Sequence, residues 1–264
     1  MPSTPAGAPS SILQVSNGAT LAYHRLSGTG PGIVFIHGFM SDMDGSKALW
    51  LEGWCRARGR AFLRFDQTGH GQSSGRFEEG GIAQWAEDVI AALDSLTEGP
   101  QILVGSSMGG WLMLLAALAR PDRIVGLVGI AAAPDFTEDL MWESASEDWQ
   151  ATLMTEGRVE EPSEYGPEPY VITKTLIEEG RSKLVLRSPL PITCPVRLIQ
   201  GLQDTAVPWR TALRLQEHLL STDVAVTLVK DGDHRLSRTT DLDRLGRVLG
   251  GLIEDLARPE EESA

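Results

Sequence analysis

The stretch from Gly99 to Pro121 reads GPQILVGSSMGGWLMLLAALARP. Its apolar run, Gln101-Ile102-Leu103-Val104, ends on Gly105-Ser106-Ser107-Met108-Gly109 and passes at once into a helical pattern that stops before Pro121. Strand, sharp turn and helix in that order make a G-x-S-x-G turn, which exposes its serine hydroxyl at the tip of a sheet, above a helix N-terminus. Gly105 lets the backbone reverse, and Gly109 lets the new helix lie close to the strand. Only Ser107 fits the frame. A central Ser106 would need glycine at 104 and 108, where the chain has Val104 and Met108.

Outward from this turn, short apolar runs alternate with helical patterns. Strands are expected at Ile12 to Val15, Leu21 to Leu26, Gly32 to Ile36, Ala61 to Phe65, Gln101 to Gly105, Ile124 to Ile130, Pro195 to Gly201 and Ala225 to Lys230. Several are continuous Val/Ile/Leu runs, the pattern of parallel strands covered on both faces. Asn17-Gly18 between the first two is a hairpin signal, so the sheet should open antiparallel. Helices are expected at Ser46 to Arg58, Ile82 to Leu96, Ser107 to Ala119, Trp209 to Leu220 and Thr239 to Leu256. Gly59 and Pro121 supply stops for the first and third. The alternation predicts a mostly parallel, eight-stranded α/β sheet with helices on both faces.

The segment from Asp135 to about Arg187 breaks the rhythm. It shows no clear strand and many acids, among them Glu138, Asp139, Glu143, Glu147, Asp148, Glu156, Glu160, Glu161, Glu164 and Glu168, together with Trp142, Trp149, Tyr165 and Tyr170. A stretch of this length without sheet pattern usually serves as a lid or binding loop. It reads as a helical cap inserted into a single domain over 12–257, flanked by a disordered leader at 1–11 and an acidic tail at 258–264. Its acidity should disfavour a polyanionic acyl donor, an effect that salt would screen.

Bulk composition narrows the class. The chain's 264 residues are near the upper limit for one core, and 42% hydrophobic content with 28 glycines is ordinary for a globular protein. A net charge of −13 argues against nucleic acid and anionic membranes as partners. No apolar run reaches the roughly 18 residues of a spanning helix. Cys55 and Cys194 offer no disulfide framework, no cluster has metal-ligand spacing, and no cofactor motif occurs. The loop from Asp66 to Ser73 is glycine-rich but lacks the spacing and lysine of a nucleotide loop, and reads as a loop near the active-site rim. The first residues, lacking a secretory pattern and arginine, give the expectation of a cytoplasmic protein.

A serine hydroxyl needs a base within hydrogen-bond reach and a group that orients the base. Of five histidines, His24 falls in a strand and His218 in a helix, and His37 reads as a loop-orienting residue. His70 lies in the glycine-rich loop. His234 follows the last strand, at the sheet edge where open α/β sheets place their ligands. Asp204, just after the strand Pro195 to Gly201, is the expected orienting acid. Asp135 is its rival, with turn or helix capping as its alternative role. An oxyanion would need preplaced donors, and the N–H groups of Met108 and of Phe39, in His37-Gly38-Phe39-Met40, are the candidates.

At these residues the chain resembles the α/β-hydrolase superfamily. Within it, the resemblance is to the branch of an animal mitochondrial S-depalmitoylase and acyl-glucuronide esterase and its bacterial relatives. It is carried by Gly99 to Pro121, Pro31-Gly32-Ile33-Val34-Phe35-Ile36, Gly45-Ser46-Lys47-Ala48-Leu49, Arg64-Phe65-Asp66, Cys194 to Leu198, Val207-Pro208-Trp209, Leu220 to Val224 and Asp233-His234-Arg235. It implies an α/β-hydrolase fold with Ser107 as nucleophile, Asp204 as acid and His234 as base. It also implies action on a carboxylic ester or thioester, with an S-acylated peptide as one substrate class. The animal branch has proline at the position of His37, so the oxyanion loop differs locally. Carbon–carbon bond hydrolysis by the same three residues is the alternative chemistry, and would want an arginine facing the pocket. A non-catalytic binding protein of the same fold would have no need of all three.

Overall fold

The computed structural model of the protein describes residues 10–162 and 169–258. The leader and the acidic tail fall almost wholly outside them, as do Glu164, Tyr165 and Glu168 of the acidic segment. Ser11 shortens the expected leader, because it opens strand β1 (Ser11–Gln14) opposite Tyr23.

β1 turns back at Gly18, whose φ of +87° suits glycine, into β2 (Thr20–Leu26). Then follow β3 (Thr29–Ile36), helix α1 (Ser46–Arg56), β4 (Arg60–Phe65), α2 (Ile82–Leu96), β5 (Gln101–Ser106), α3 (Met108–Ala119) and β6 (Ile124–Ile130). An intervening segment carries α4 (Glu147–Glu156), β7 (Arg158–Glu161), β8 (Tyr170–Thr173) and α5 (Lys174–Arg181). The sheet resumes with β9 (Val196–Gly201), α6 (Arg210–His218), β10 (Val224–Val229) and α7 (Thr239–Ala257). The eight-stranded sheet runs β1-β2-β4-β3-β5-β6-β9-β10. β2 is antiparallel to both its neighbours, and every other pairing is parallel.

Central strands are apolar at successive positions because both faces are covered. On β3, Val34 and Ile36 enter a layer built with α2, α3 and α6, while Ile33 and Phe35 enter the opposite layer with α1 and α7. β5 is buried along its whole length. The parallel strands all end at one edge, and the loops after β3, β5, β9 and β10 carry His37, Ser107, Asp204 and His234 there.

The intervening segment corrects the expectation of an all-helical cap without strands. β7 and β8 form an antiparallel ribbon, with Arg158 opposite Thr173 and Glu161 opposite Tyr170. Each strand is only four residues long, and β7, Arg-Val-Glu-Glu, carries little of the β-branched and aromatic character that marks a strand. The segment is bolted to the rest of the molecule at several points. Asp135 accepts the N–H groups of Val185 and Leu186, each at 2.8 Å, and so closes the two ends on each other. Glu179 accepts the N–H of Ala83 at 3.2 Å, placing a carboxylate at the N-terminus of α2. Trp111 donates its indole N–H to the Lys183 carbonyl at 3.1 Å. Two of the acids expected in this segment are paired: Glu138 with Arg181, and Asp139 with both Arg187 and Arg214.

Among the described residues no helix is long and apolar enough to cross a membrane. Cys55 and Cys194 are unpaired, and burial pushes their thiols up to about 12 and about 11, where they are poor nucleophiles.

Candidate active site

Ser107 sits between β5 and α3 with φ +55° and ψ −122°, a conformation side-chain-bearing residues rarely adopt. Such strain costs on the order of 1–3 kcal/mol and persists only where the surroundings fix it. Here the Ser107 N–H donates to the Ile130 carbonyl at 2.9 Å, and the Ser107 carbonyl accepts from Gly110 and Ala133 at 2.8 and 3.0 Å. The close approach also needs the two glycines. A Cβ on Gly109 would fall on the carbonyl oxygens of Ile36 and His37, and one on Gly105 on the carbonyl of Gly109.

The fold brings His234 and Asp204 to this serine. The Ser107 hydroxyl lies 3.1 Å from His234 Nε2, and His234 Nδ1 lies 2.9 Å from Asp204 Oδ2. With Nδ1 donating to the carboxylate, Nε2 carries the lone pair that can accept the serine proton. The Asp204 carboxylate is wholly buried yet fully engaged. Its Oδ2 also accepts from Gln200 Nε2 at 2.8 Å, and its Oδ1 accepts the N–H groups of Ala206 and Val207 at 2.9 and 2.7 Å. Asp135, the rival acid, spends its carboxylate on Val185, Leu186 and Arg187 and has no contact with His234.

The loop after β3 closes over the serine. A Cβ on Gly38 would stand 3.1 Å from Ser107 Cβ, so the loop approaches as closely as glycine allows. Phe39 follows and lines the cavity, while Met108, on the other side, is the first residue of α3. His37 donates through Nδ1 to the Gly38 carbonyl at 2.9 Å and is buried. Burial lowers it to about 4, so it stays neutral and serves its own loop.

The Asp66 to Ser73 loop is not among the residues that line the cavity: its Asp66, Gln67 and His70 are buried, while Gly71 and Gln72 are exposed. Asp66 accepts the Met43 N–H at 2.7 Å and the Gln72 N–H at 2.8 Å, tying the loop after β3 to the end of β4. Burial raises the Asp66 pKa. His70 is buried against His37, Phe77 and Trp85, with ring centroids 5.0, 5.1 and 5.0 Å away, and burial lowers it to about 3.

A cavity of about 390 Å³ opens in front of Ser107 and His234, within the range of small-ligand sites. Phe136, Leu140, Met141 and Tyr170, from the segment between β6 and β9, make one wall apolar. Lys47, Arg235 and Ser237 lie on the wall formed by α1 and the His234 turn. Two supporting residues, Gln200 and Lys47, were missed in the sequence. A polar residue in the apolar run of β9, four positions before Asp204, was the only signal for Gln200, and for Lys47 the only one was its place in the Gly45-Ser46-Lys47-Ala48-Leu49 stretch that carries the resemblance.

Comparison with known proteins agrees with this architecture. Residues 31–175 match the family model described as serine aminopeptidase, S33. The mitochondrial palmitoyl-protein thioesterase ABHD10 of Rattus norvegicus is 44% identical over 239 residues, which is 90% of this chain and 80% of that protein. The structure of α/β hydrolase domain-containing protein 10 from mouse superposes with a TM-score of 0.89 at 42% identity, over 95% of this chain and 100% of the other. A crystal structure described as a hydrolase from Agrobacterium vitis S4 gives 0.87 at 40% identity, over 92% and 96%. These relatives overturn the cytoplasmic expectation, because the thioesterases at 43–44% identity are mitochondrial by name. Compartment is set by address segments read by receptors, so the residues of a catalytic domain carry no physical record of it. By sequence and by fold, the chain belongs to the α/β-hydrolase superfamily, in the S33 family of serine hydrolases, and is of its ester- and thioester-cleaving kind.

Proposed function

We propose that Ser107 attacks the carbonyl of an ester or thioester while His234 takes its proton and Asp204 fixes the imidazole tautomer and stabilises its charged form. The carbonyl–leaving-group bond then breaks, and the proton on His234 goes to the departing thiol or alcohol. Water, activated by the same imidazole, frees the acyl group from Ser107. The N–H groups of Phe39 and Met108 stabilise the oxyanion in both steps. In this reading residues 12–257 work as one hydrolase domain, and the 135–187 segment is its cap. The observation that carries it is the continuous relay from the buried Asp204 carboxylate through His234 to the hydroxyl of a strained serine.

The substrate class proposed is an apolar acyl chain on a thiol or alcohol, with S-acylated peptides included. The apolar wall of Phe136, Leu140, Met141 and Tyr170 supports it, as does the name palmitoyl-protein thioesterase borne by the rat relative. Thiols leave without prior protonation, whereas amines must be protonated, so thioester cleavage asks least of this machinery. The carbon–carbon alternative keeps one supporting observation, since Arg235 lines the cavity as a carboxylated substrate would require.

The test is a panel of p-nitrophenyl esters, matched acyl thioesters and a dienoic keto acid, with fluorophosphonate labelling. Wild type should turn over the first two and label at one serine. Ser107→Ala should lose labelling, and turnover should fall by at least ~10⁴-fold. Turnover of the keto acid alone would select the carbon–carbon reading, and undiminished turnover by Ser107→Ala would overturn both.

A further inference from the structure

Lys47 stands on the first turn of α1, and α1 follows directly from the loop that carries Gly38 and Phe39. Its ammonium crosses to the far lip of the site. There Nζ donates to the Arg235 carbonyl at 2.6 Å and to the Ser237 hydroxyl at 3.2 Å. Ser237 Oγ donates to the same Arg235 carbonyl at 2.9 Å, so the three groups form one closed node. Arg235 is the residue after His234.

The turn so gripped is under strain. Leu236 holds φ +44°, and its N–H donates to Asp233 Oδ1 at 2.9 Å. A left-handed leucine persists only when its neighbours over-determine the backbone. Those neighbours are the Asp233 contact on one side and the Lys47 node on the other. The node is also the tie between the loop of Gly38 and Phe39 and the turn of His234, the two parts that must keep register around Ser107.

We propose that Lys47 is a positioning residue for the base: by gripping the Arg235 carbonyl and the Ser237 hydroxyl, it holds the turn on which His234 meets Ser107. The inference rests on the reading of His234 as the base. It asks of Lys47 no contact with substrate. Misplacing a reacting group by about 1 Å can cost on the order of 10²-fold in rate. The donor is strongest while charged. Burial, with Arg235 beside it, lowers Lys47 to about 8, while Asp233 and Asp241 pull the other way. The grip should therefore slacken on the alkaline side of neutrality.

The test compares wild type with Lys47→Met, Lys47→Arg and Ser237→Ala on a p-nitrophenyl ester. Active sites are counted by fluorophosphonate titration. In Lys47→Met, kcat should fall roughly 10- to 100-fold with KM within about twofold, and the labelling rate at Ser107 should fall in parallel. Wild-type kcat should decline above about pH 8, and Lys47→Arg, which stays charged, should move that decline upward. Ser237→Ala leaves Lys47 in place with one partner fewer and should show a smaller loss of the same kind, so the test stands even if Lys47→Met does not fold. A wild-type kcat per titrated site in Lys47→Met or, should that variant not fold, in Ser237→Ala overturns the proposal. So does a loss confined to melting temperature, or an alkaline decline that survives unchanged in Lys47→Met. Activity surviving in Ser107→Ala is the separate result that would remove the underlying reading.

Discussion

Asp204 accepts four hydrogen bonds on a buried carboxylate, and only one of them comes from His234. The other three fix the direction in which the fourth is offered. Asp204→Asn would keep the shape, but with its one amide oxygen held by the N–H groups of Ala206 and Val207 its NH2 would face Nδ1 and donate to it, so the imidazole would be held in the wrong tautomer. We expect kcat to fall by roughly 10³–10⁴-fold at near-native stability, checked by steady-state kinetics beside a melting curve. Gln200 acts one bond further out, donating to Asp204 Oδ2 and, at 3.1 Å, to the Val207 carbonyl. Gln200→Met should cost about tenfold in kcat, a size typical of groups that orient a functional residue. At this scale Ser107 was legible because its motif is contiguous in the chain. Asp204 was separated from Asp135 only by preference; in the fold Asp204 contacts His234, whereas Asp135 holds the two ends of the 135–187 segment together.

The strand-turn-helix unit around Ser107 rests on backbone approach. Gly109→Ala would push a methyl group into the carbonyls of Ile36 and His37, and backbone atoms cannot step aside as side chains can. The variant should lose about 3 kcal/mol or more, seen as a lower urea midpoint or as failure to accumulate soluble, labelled protein. The strands and helices around the sheet were readable from apolar runs and glycine or proline stops. The β7–β8 ribbon was not, because two four-residue strands carry too little pattern. Tyr170-Val171-Ile172-Thr173 has strand character, but its partner Arg158-Val159-Glu160-Glu161 does not, and the pairing appears only where α4 ends at Gly157 in a left-handed turn.

For the whole molecule, the buried histidines around the loop after β3 set an acid limit. His37 and His70 are neutral in the folded protein, lowered by burial to about 4 and about 3 from an ordinary 6.5. Below 6.5 the unfolded chain takes up protons that the folded chain refuses, so their stability is present above that pH and lost as pH falls toward 3–4. Between about pH 7 and about pH 5, His70 alone should account for about 2 kcal/mol. Urea unfolding should show that His70→Phe loses less stability over this interval than wild type by that amount. Asp66 and Asp88, raised by burial, titrate in the opposite sense but equally in both proteins, and cancel in the comparison. The sequence by itself determined the alternating elements, the serine of the G-x-S-x-G turn and the helix that follows it, because each is written in residues that are neighbours along the chain. Only the tertiary structure decided which acid meets His234, which lysine, 188 residues away, holds the Arg235 carbonyl, and which histidines are sealed from water. Those contacts depend on distances in space, which packing of the two faces of the sheet sets and residue order along the chain does not.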